Sequence, residues 1–411
     1  MMAAAAVLLW LAGTCALLAF VYRKAFADAW AEPVMRAPVL ILESDDWGYG
    51  PLEQARRLDR ITQLLERFRD SRGTLPSMTL GVVLGGPDTD RIRADGCRTY
   101  YRVTLADPRL LPVREAMLRG VARGVFALQL HGMEHYWPAC LMRAAATNEK
   151  LRDWLTRSGF PCTEALPSPL QSRWIDASTL PSKPLPIDEV AAAAAEESAA
   201  FAEMFGANPE VVVPSTFVWT DAVESAWARA GVRVVVTPGR RNEGRDAEGR
   251  IVPGKRTYFN AETGANGVTY VVRDCYLEPS LGKMHPQTID ALRANMRTGR
   301  PTLVEIHRLN FIGDERTMQH ALGELERLLE AACAASPALR FMSTAELARH
   351  CRDRSALVER KTRTRVHFLI RRLAGVSRLR KLAWATGAAF PAWLAYLATQ
   401  PRPSEEAQSL T

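Results

Sequence analysis

The stretch Val39-Leu-Ile-Leu-Glu43-Ser-Asp45-Asp46-Trp47-Gly48 runs from unbroken apolar sequence into two adjacent carboxylates. Four apolar residues in a row, with no polar alternation, mark a strand covered on both faces, as in a parallel sheet flanked by helices. Such sheets carry their chemistry at the carboxyl ends of the strands, where Asp45 and Asp46 fall. Working outward, strands are expected at 78–84, 125–130, 211–213, 232–236, 268–272 and 302–306, with a short last one at 340–342. Helical spacing alternates with them at 52–69, 111–123, 188–205, 220–230, 315–333 and 344–350, and Thr220 is the expected N-cap of its helix. Seven or eight strand–helix units favour a barrel over an open sheet. The fold class is therefore α/β, with a barrel favoured, an N-terminal transmembrane helix and a C-terminal basic amphipathic tail.

The 411 residues are 47% hydrophobic and 24% charged, which excludes a disordered or fibrous chain. Seven widely spaced cysteines without a CxxC pair argue against a disulfide scaffold or a cysteine zinc knuckle and lean towards a reducing compartment. The net charge is +8, but the segment 352–381 alone carries +9, so the body is close to neutral. A nucleic-acid groove needs basic residues on the body as well, and none is expected as a partner. Basic residues interleaved with apolar ones over 363–380 read as an amphipathic helix suited to an anionic membrane surface. The uncharged run 382–398, with Trp384, Trp393 and Tyr396 and a break at Pro391, reads as interfacial.

Residues 3–22 are uncharged and apolar, long enough at about 1.5 Å per residue to cross a bilayer. No basic residue precedes the run, and Arg23 and Lys24 follow it, which favours a retained anchor over a cleaved signal. The same bias puts the C-terminal side in the cytoplasm, with a periplasmic placement as the alternative. Three regions follow: 1–33 as anchor and linker, 34–355 as a catalytic domain, and 356–411 as a membrane-associated tail.

Further polar residues follow the other strands. His131 and His135 occur in His131-Gly-Met-Glu-His135, Asp274 follows 268–272, and His307 follows 302–306. The His-x-x-x-His spacing brings two imidazoles to one ion, and Asp46 completes a two-histidine, one-carboxylate set with open positions for water and substrate. Adjacent carboxylates point to opposite faces of a strand. At a strand end the chain turns, so one can bind metal while the other accepts a proton.

Ser44-Asp45-Asp46-Trp47-Gly48 resembles the first motif of polysaccharide deacetylases, usually Thr-Phe-Asp-Asp-Gly. His131-Gly-Met-Glu-His135 resembles their second motif, and Leu303-Val-Glu-Ile-His307 their last, a strand ending Leu-x-His. Order and spacing agree over 39–350. The third motif, usually Arg-x-Pro, is represented by Val212-Val-Pro214-Ser-Thr-Phe-Val-Trp219, which keeps the proline and lacks the arginine. The resemblance implies an irregular (β/α)7-type barrel that removes N- or O-acyl groups from sugars with a divalent metal, most often Zn2+. It implies Asp45 as general base, Asp46, His131 and His135 as metal ligands, His307 as general acid, and Asp274 as the acidic residue orienting that histidine. Trp47 and Trp219 are the aromatic candidates for substrate contact. Arg308 and Asn310, which begin the loop after the last motif, are the polar ones.

The expected activity is a metal-dependent deacetylase acting on a carbohydrate or glycolipid, with a lipid-linked glycan as a plausible substrate at the membrane. A glycoside hydrolase is the first alternative and needs two carboxylates about 5–9.5 Å apart, for which Asp45 and Asp274 are the pair. A catalytically silent sugar-binding protein is the second.

Overall fold

The computed structural model describes residues 2–400, so the end of the tail, 401–411, lies outside the described residues. Nine strands form one sheet: β1 (Val39–Gly48), β2 (Met78–Val83), β3 (Phe126–Leu130), β4 (Val211–Val212), β5 (Val234–Thr237), β6 (Thr269–Val272), β7 (Cys275–Tyr276), β8 (Thr302–His307) and β9 (Arg340–Phe341). Their order is β6-β5-β4-β3-β2-β1-β8-β7, with β9 beside the first residues of β1. Every pairing is parallel, so all carboxyl ends face one way. The sheet curls into an incomplete barrel. Its ladder stays open between β6 and β7, which Arg273 and Asp274 join.

Strand alternation divides the core into two layers. Leu40, Leu42, Leu80 and Val304 point outward onto the helices, in one cluster with Leu58 and Leu328. Val39, Ile41, Val211, Val234, Val271 and Leu303 fill the amino-terminal half of the interior, closed below by Met35, Leu347 and Val358. The same inward register continues upward as Glu43 and Asp45 on β1 and as Glu305 and His307 on β8, all largely buried. The interior is therefore apolar at its base and charged at its mouth.

The covering helices include α1 (Met2–Val21), α2 (Arg23–Ala31), α3 (Gln54–Leu65), α4 (Leu111–Ala122), α5 (Ile187–Phe205), α6 (Asp221–Arg229), α7 (His285–Thr298), α8 (Glu315–Ala335) and α9 (Thr344–Arg352). The Thr220 hydroxyl caps α6 by accepting from the Val223 amide, as its sequence position predicts. Helix α7 is not anticipated by the pattern. Among its residues only Thr288, Ile289 and Leu292 are buried, too thin a stripe to stand out from polar loop sequence.

Helix α1 is long and apolar enough to cross a membrane. The tail forms α10 (Thr362–Ala374), α11 (Ser377–Thr386) and α12 (Ala389–Ala398). The expected single amphipathic helix over 363–380 is thus two helices, parted at Gly375 and Val376. The apolar run breaks at Gly387 (φ +82°) and not at Pro391, which sits in the first turn of α12, where a missing amide proton costs nothing.

Candidate metal and acid–base site

Register sets the site. Asp45 pairs with His307 across β1 and β8, and Leu130 with Val212 across β3 and β4, so His131 emerges beside Val213. The β1 register shifts between Ser44 and Trp47, and Asp46 adopts a positive φ of 73°. This kink lets two neighbouring carboxylates serve one site. Asp45 keeps its inward direction against Gly81, where a Cβ would come within 2.5 Å of its Oδ1, while Asp46 swings towards the histidines. A non-glycine residue at positive φ is strained and persists where the surroundings over-determine it.

Asp46 Oδ1 lies 3.3 Å from His131 Nε2 and 3.2 Å from His135 Nε2. His131 Nδ1 lies 2.7 Å from the Val213 carbonyl, a contact that puts the ring proton on Nδ1 and leaves Nε2 free to ligate. Gly132 (φ +112°) makes the turn that aims both rings. Beneath it the buried Arg173 donates to Glu134 (2.7 Å) and Glu197 (3.0 Å), and Glu197 accepts from the Met133 amide (3.0 Å). The loop carrying both histidines is thus braced by a buried ion network.

Three buried atoms at this point, Asp45 Oδ1, Asp46 Oδ1 and His135 Nδ1, have no hydrogen-bond partner. Burial pushes the His135 imidazole down to about 4, keeping it neutral and able to ligate. Burial works against ionised Asp46, but His135 and the other histidines outweigh it and hold the carboxyl well below its usual range. Two convergent imidazole nitrogens and an orphaned carboxylate oxygen fit a divalent cation, and donor atoms of all three lie within 4.8 Å of one another.

The acid–base pair flanks this set. Burial opposes ionisation of Asp45, yet the Arg273 guanidinium, donating to its Oδ2 at 2.6 Å, leads the interactions that lower it. His307 moves the other way. Burial disfavours its cation, but the hydrogen bond from Nδ1 to Glu278 Oε1 (2.6 Å), with Asp46 and Glu305 nearby, raises it to about 10. The site therefore presents an ionised carboxylate and a protonated imidazole at neutral pH. Glu278, Glu305 and His307 also form a second cluster of potential ligands. Its His307 Nδ1 is already engaged by Glu278, which suits proton transfer.

Several expected residues lie elsewhere. Asp274 does not orient His307. It lies in the link between β6 and β7 after the inward-pointing Arg273, faces solvent, and leaves that task to Glu278. Trp47 is 0% exposed, bonded to Ser44 Oγ and packed on Phe311, so it supports the site from behind. Trp219 is equally buried, with its indole nitrogen on Glu224. Arg308 is buried between Glu164, Gln54 and the Tyr49 carbonyl. Asn310 donates to Glu278 and so braces the partner of His307. None of these four presents a free face to a sugar.

Sequence reasoning missed Arg273 and Glu278. The Arg273 guanidinium reaches Asp45 (2.6 Å), Glu43 (3.1 Å) and Glu305 (3.1 Å) and lies 5.2 Å from the Phe217 ring after Pro214. The signal available was strand alternation, since only one of Arg273 and Asp274 can face inward. Replacing Arg273 by methionine is expected to destabilise the fold by about 3–5 kcal/mol, because three buried carboxylates lose their common cation. Denaturant titration reads this loss, and Glu43→Gln in the same chain should restore part of it.

No family model matches this chain, and no curated protein does. Among solved structures it is similar to the 4-alpha-glucanotransferase of Thermococcus litoralis (TM-score 0.42, 10% identity), covering 76% of this chain and 40% of the other, so the chain spans well under half of that enzyme. It is also similar to the peptidoglycan deacetylase PdaC of Bacillus subtilis (TM-score 0.35, 12% identity, 77% and 93% covered). A family 4 carbohydrate esterase of Streptomyces lividans gives TM-score 0.35 at 11% identity, with 75% and 92% covered. At such scores these are loose likenesses of shape, and the functional reading rests on the side chains.

Proposed function

We propose that this protein is a membrane-anchored, metal-dependent carbohydrate deacetylase. The observation that carries the reading is the convergence of Asp46, His131 and His135 beside a carboxylate held ionised by Arg273 and an imidazole held protonated by Glu278. Asp46, His131 and His135 would hold the ion, with Zn2+ best matched to two imidazoles and a carboxylate. When bound, such an ion supplies Lewis acidity towards an acyl carbonyl and towards water. Asp45 Oδ1, free of any partner, takes a proton from the attacking water. His307 Nε2 donates a proton to the departing amine or alcohol, and Glu278 holds the ring in place. Glu305 Oε1 lies 3.6 Å from that same nitrogen and favours the charged ring.

Region 34–355 is the catalytic unit in this reading, with the anchor in 1–33 and the membrane-associated tail in 356–411. Product analysis separates the alternatives: release of acetate with a free amine or hydroxyl supports deacetylation. New reducing ends would make the protein a glycosidase, and neither product with tight glycan binding would make it a silent sugar-binding protein.

Arg23 and Lys24 after the apolar helix favour a cytoplasmic catalytic unit. A C-terminal fluorescent fusion is expected to be bright and an alkaline phosphatase fusion inactive; the opposite pattern would move the enzyme to the other face.

A further inference from the structure

The parallel sheet fixes the direction in which the site looks, and the membrane-seeking parts of the chain lie at its other end. Residues entering β1 and β8 at their amino-terminal ends are gripped by α2 and α10. Arg372, 5% exposed, donates to the carbonyls of Ala29 (3.0 Å), Glu32 (2.7 Å) and Pro33 (2.8 Å) after α2, and to that of Thr298 (2.9 Å) ending α7. One buried guanidinium thus satisfies the terminal carbonyls of two helices, where a cation is favoured. The Met35 amide donates to the Gly299 carbonyl (2.9 Å) and the Glu359 amide to that of Val34 (2.8 Å). At Gly299 (φ +64°) a Cβ would meet Val34 and Phe368 within about 3 Å, so the seam is close-packed. The tail is therefore bolted to the barrel base.

Beyond this seam the surface is apolar and basic. A cavity of about 610 Å³ opens between α1 and the tail helices, lined by Leu18, Phe26, Leu373, Trp384 and Trp393 among others. Trp10 on α1 donates to the Thr386 carbonyl (3.0 Å), so α1 lies along the tail. Trp384 (75% exposed), Phe390, Trp393 and Leu394 stand free on the same tail, near the exposed or partly exposed Arg378, Arg380 and Lys381. Aromatic side chains flanked by Arg and Lys match a bilayer interface with anionic headgroups. From Val39 to Asp45, β1 climbs about 20 Å away from that surface, and the α2–α10 layer adds about 10 Å more. Strand tilt takes back part of the climb, but the site still opens on the far side of the barrel.

We infer that the site opens away from the bilayer that anchors the chain, so that sugars reach it from the aqueous side and a single sugar at a lipid headgroup does not. This rests on the deacetylase reading and narrows its substrate class, displacing a short lipid-linked sugar from the expectation set by the sequence. A lone sugar tethered to an embedded lipid has no path around the barrel to Asp45.

Two measurements on the full chain test it in vesicles of phosphatidylethanolamine and phosphatidylglycerol. A photo-crosslinking amino acid in place of Leu394, on α12, should capture lipid. One in place of Leu281, which is 65% exposed and follows Glu278 at the mouth, should not. Lipid capture from position 281 would overturn the orientation. In the second, an N-acetylhexosamine oligosaccharide should be deacetylated with kcat/KM at least about 10-fold above that of a lipid carrying one N-acetylhexosamine in the same vesicles. Equal or faster turnover of the lipid-linked monosaccharide would overturn the substrate class. Absence of turnover on both would count against the deacetylase reading alone, because the crosslinking pattern decides the orientation without catalysis.

Discussion

Replacing His131 by alanine is expected to strip the enzyme of its metal and of nearly all activity. His131 supplies one of the two imidazole nitrogens that converge with Asp46 Oδ1, and its orientation is fixed by the Val213 carbonyl. Carboxylates nearby are engaged elsewhere: Glu278 with His307 and Asn310, Glu305 with Arg273, and Asp45 with Arg273 through Oδ2. Removing an outer-shell partner of a metal costs about 10- to 100-fold in affinity, and removing a ligand itself should cost more. Metal content after gel filtration, with a circular dichroism spectrum to verify folding, checks the result. A folded His131→Ala protein with its full complement of metal would refute the ligand assignment.

Asp45→Asn should separate metal binding from catalysis. The amide has the shape of the carboxylate, and its oxygen can still accept from Arg273, whose guanidinium lies 2.6 Å from Oδ2. The position facing the reacting water then becomes a donor and can take no proton. Metal should be retained while the rate falls by at least about 10²-fold, the scale of a lost general base. An Asp45→Asn enzyme close to wild-type turnover would remove the acid–base mechanism and leave the metal site standing.

The candidate ligands and acid–base residues stand out in the sequence because Asp45, His131 and His307 each follow an apolar run, with Asp46 next to Asp45 and His135 four residues after His131. Val39–Leu42 announces a buried strand, and the polarity change after it marks where that strand meets the mouth; the same holds for His131 and for His307. Glu278 lacked such a frame, and Arg273, although it follows the run 268–272, stands beside Asp274, which offers the same reading. Arg273 and Glu278 bracket a two-residue strand, Cys275–Tyr276, too short to set a pattern, and their partners lie far away in sequence. The tryptophans misled for a related reason. An aromatic residue beside a polar motif reads equally well as a sugar platform or as packing, and burial of Trp47 and Trp219 decides for packing. The seam made by Arg372 could not be read at all, because its hydrogen bonds go to backbone carbonyls and no side-chain pattern reports them.

The account stands most directly on the coupling of metal to acetate release. Full-length enzyme stripped by a chelator should release no acetate from an N-acetylated oligosaccharide, and activity should return in proportion to added divalent ion, levelling at one equivalent per chain. Acetate release unchanged by chelation, in protein shown to hold no metal, would contradict it.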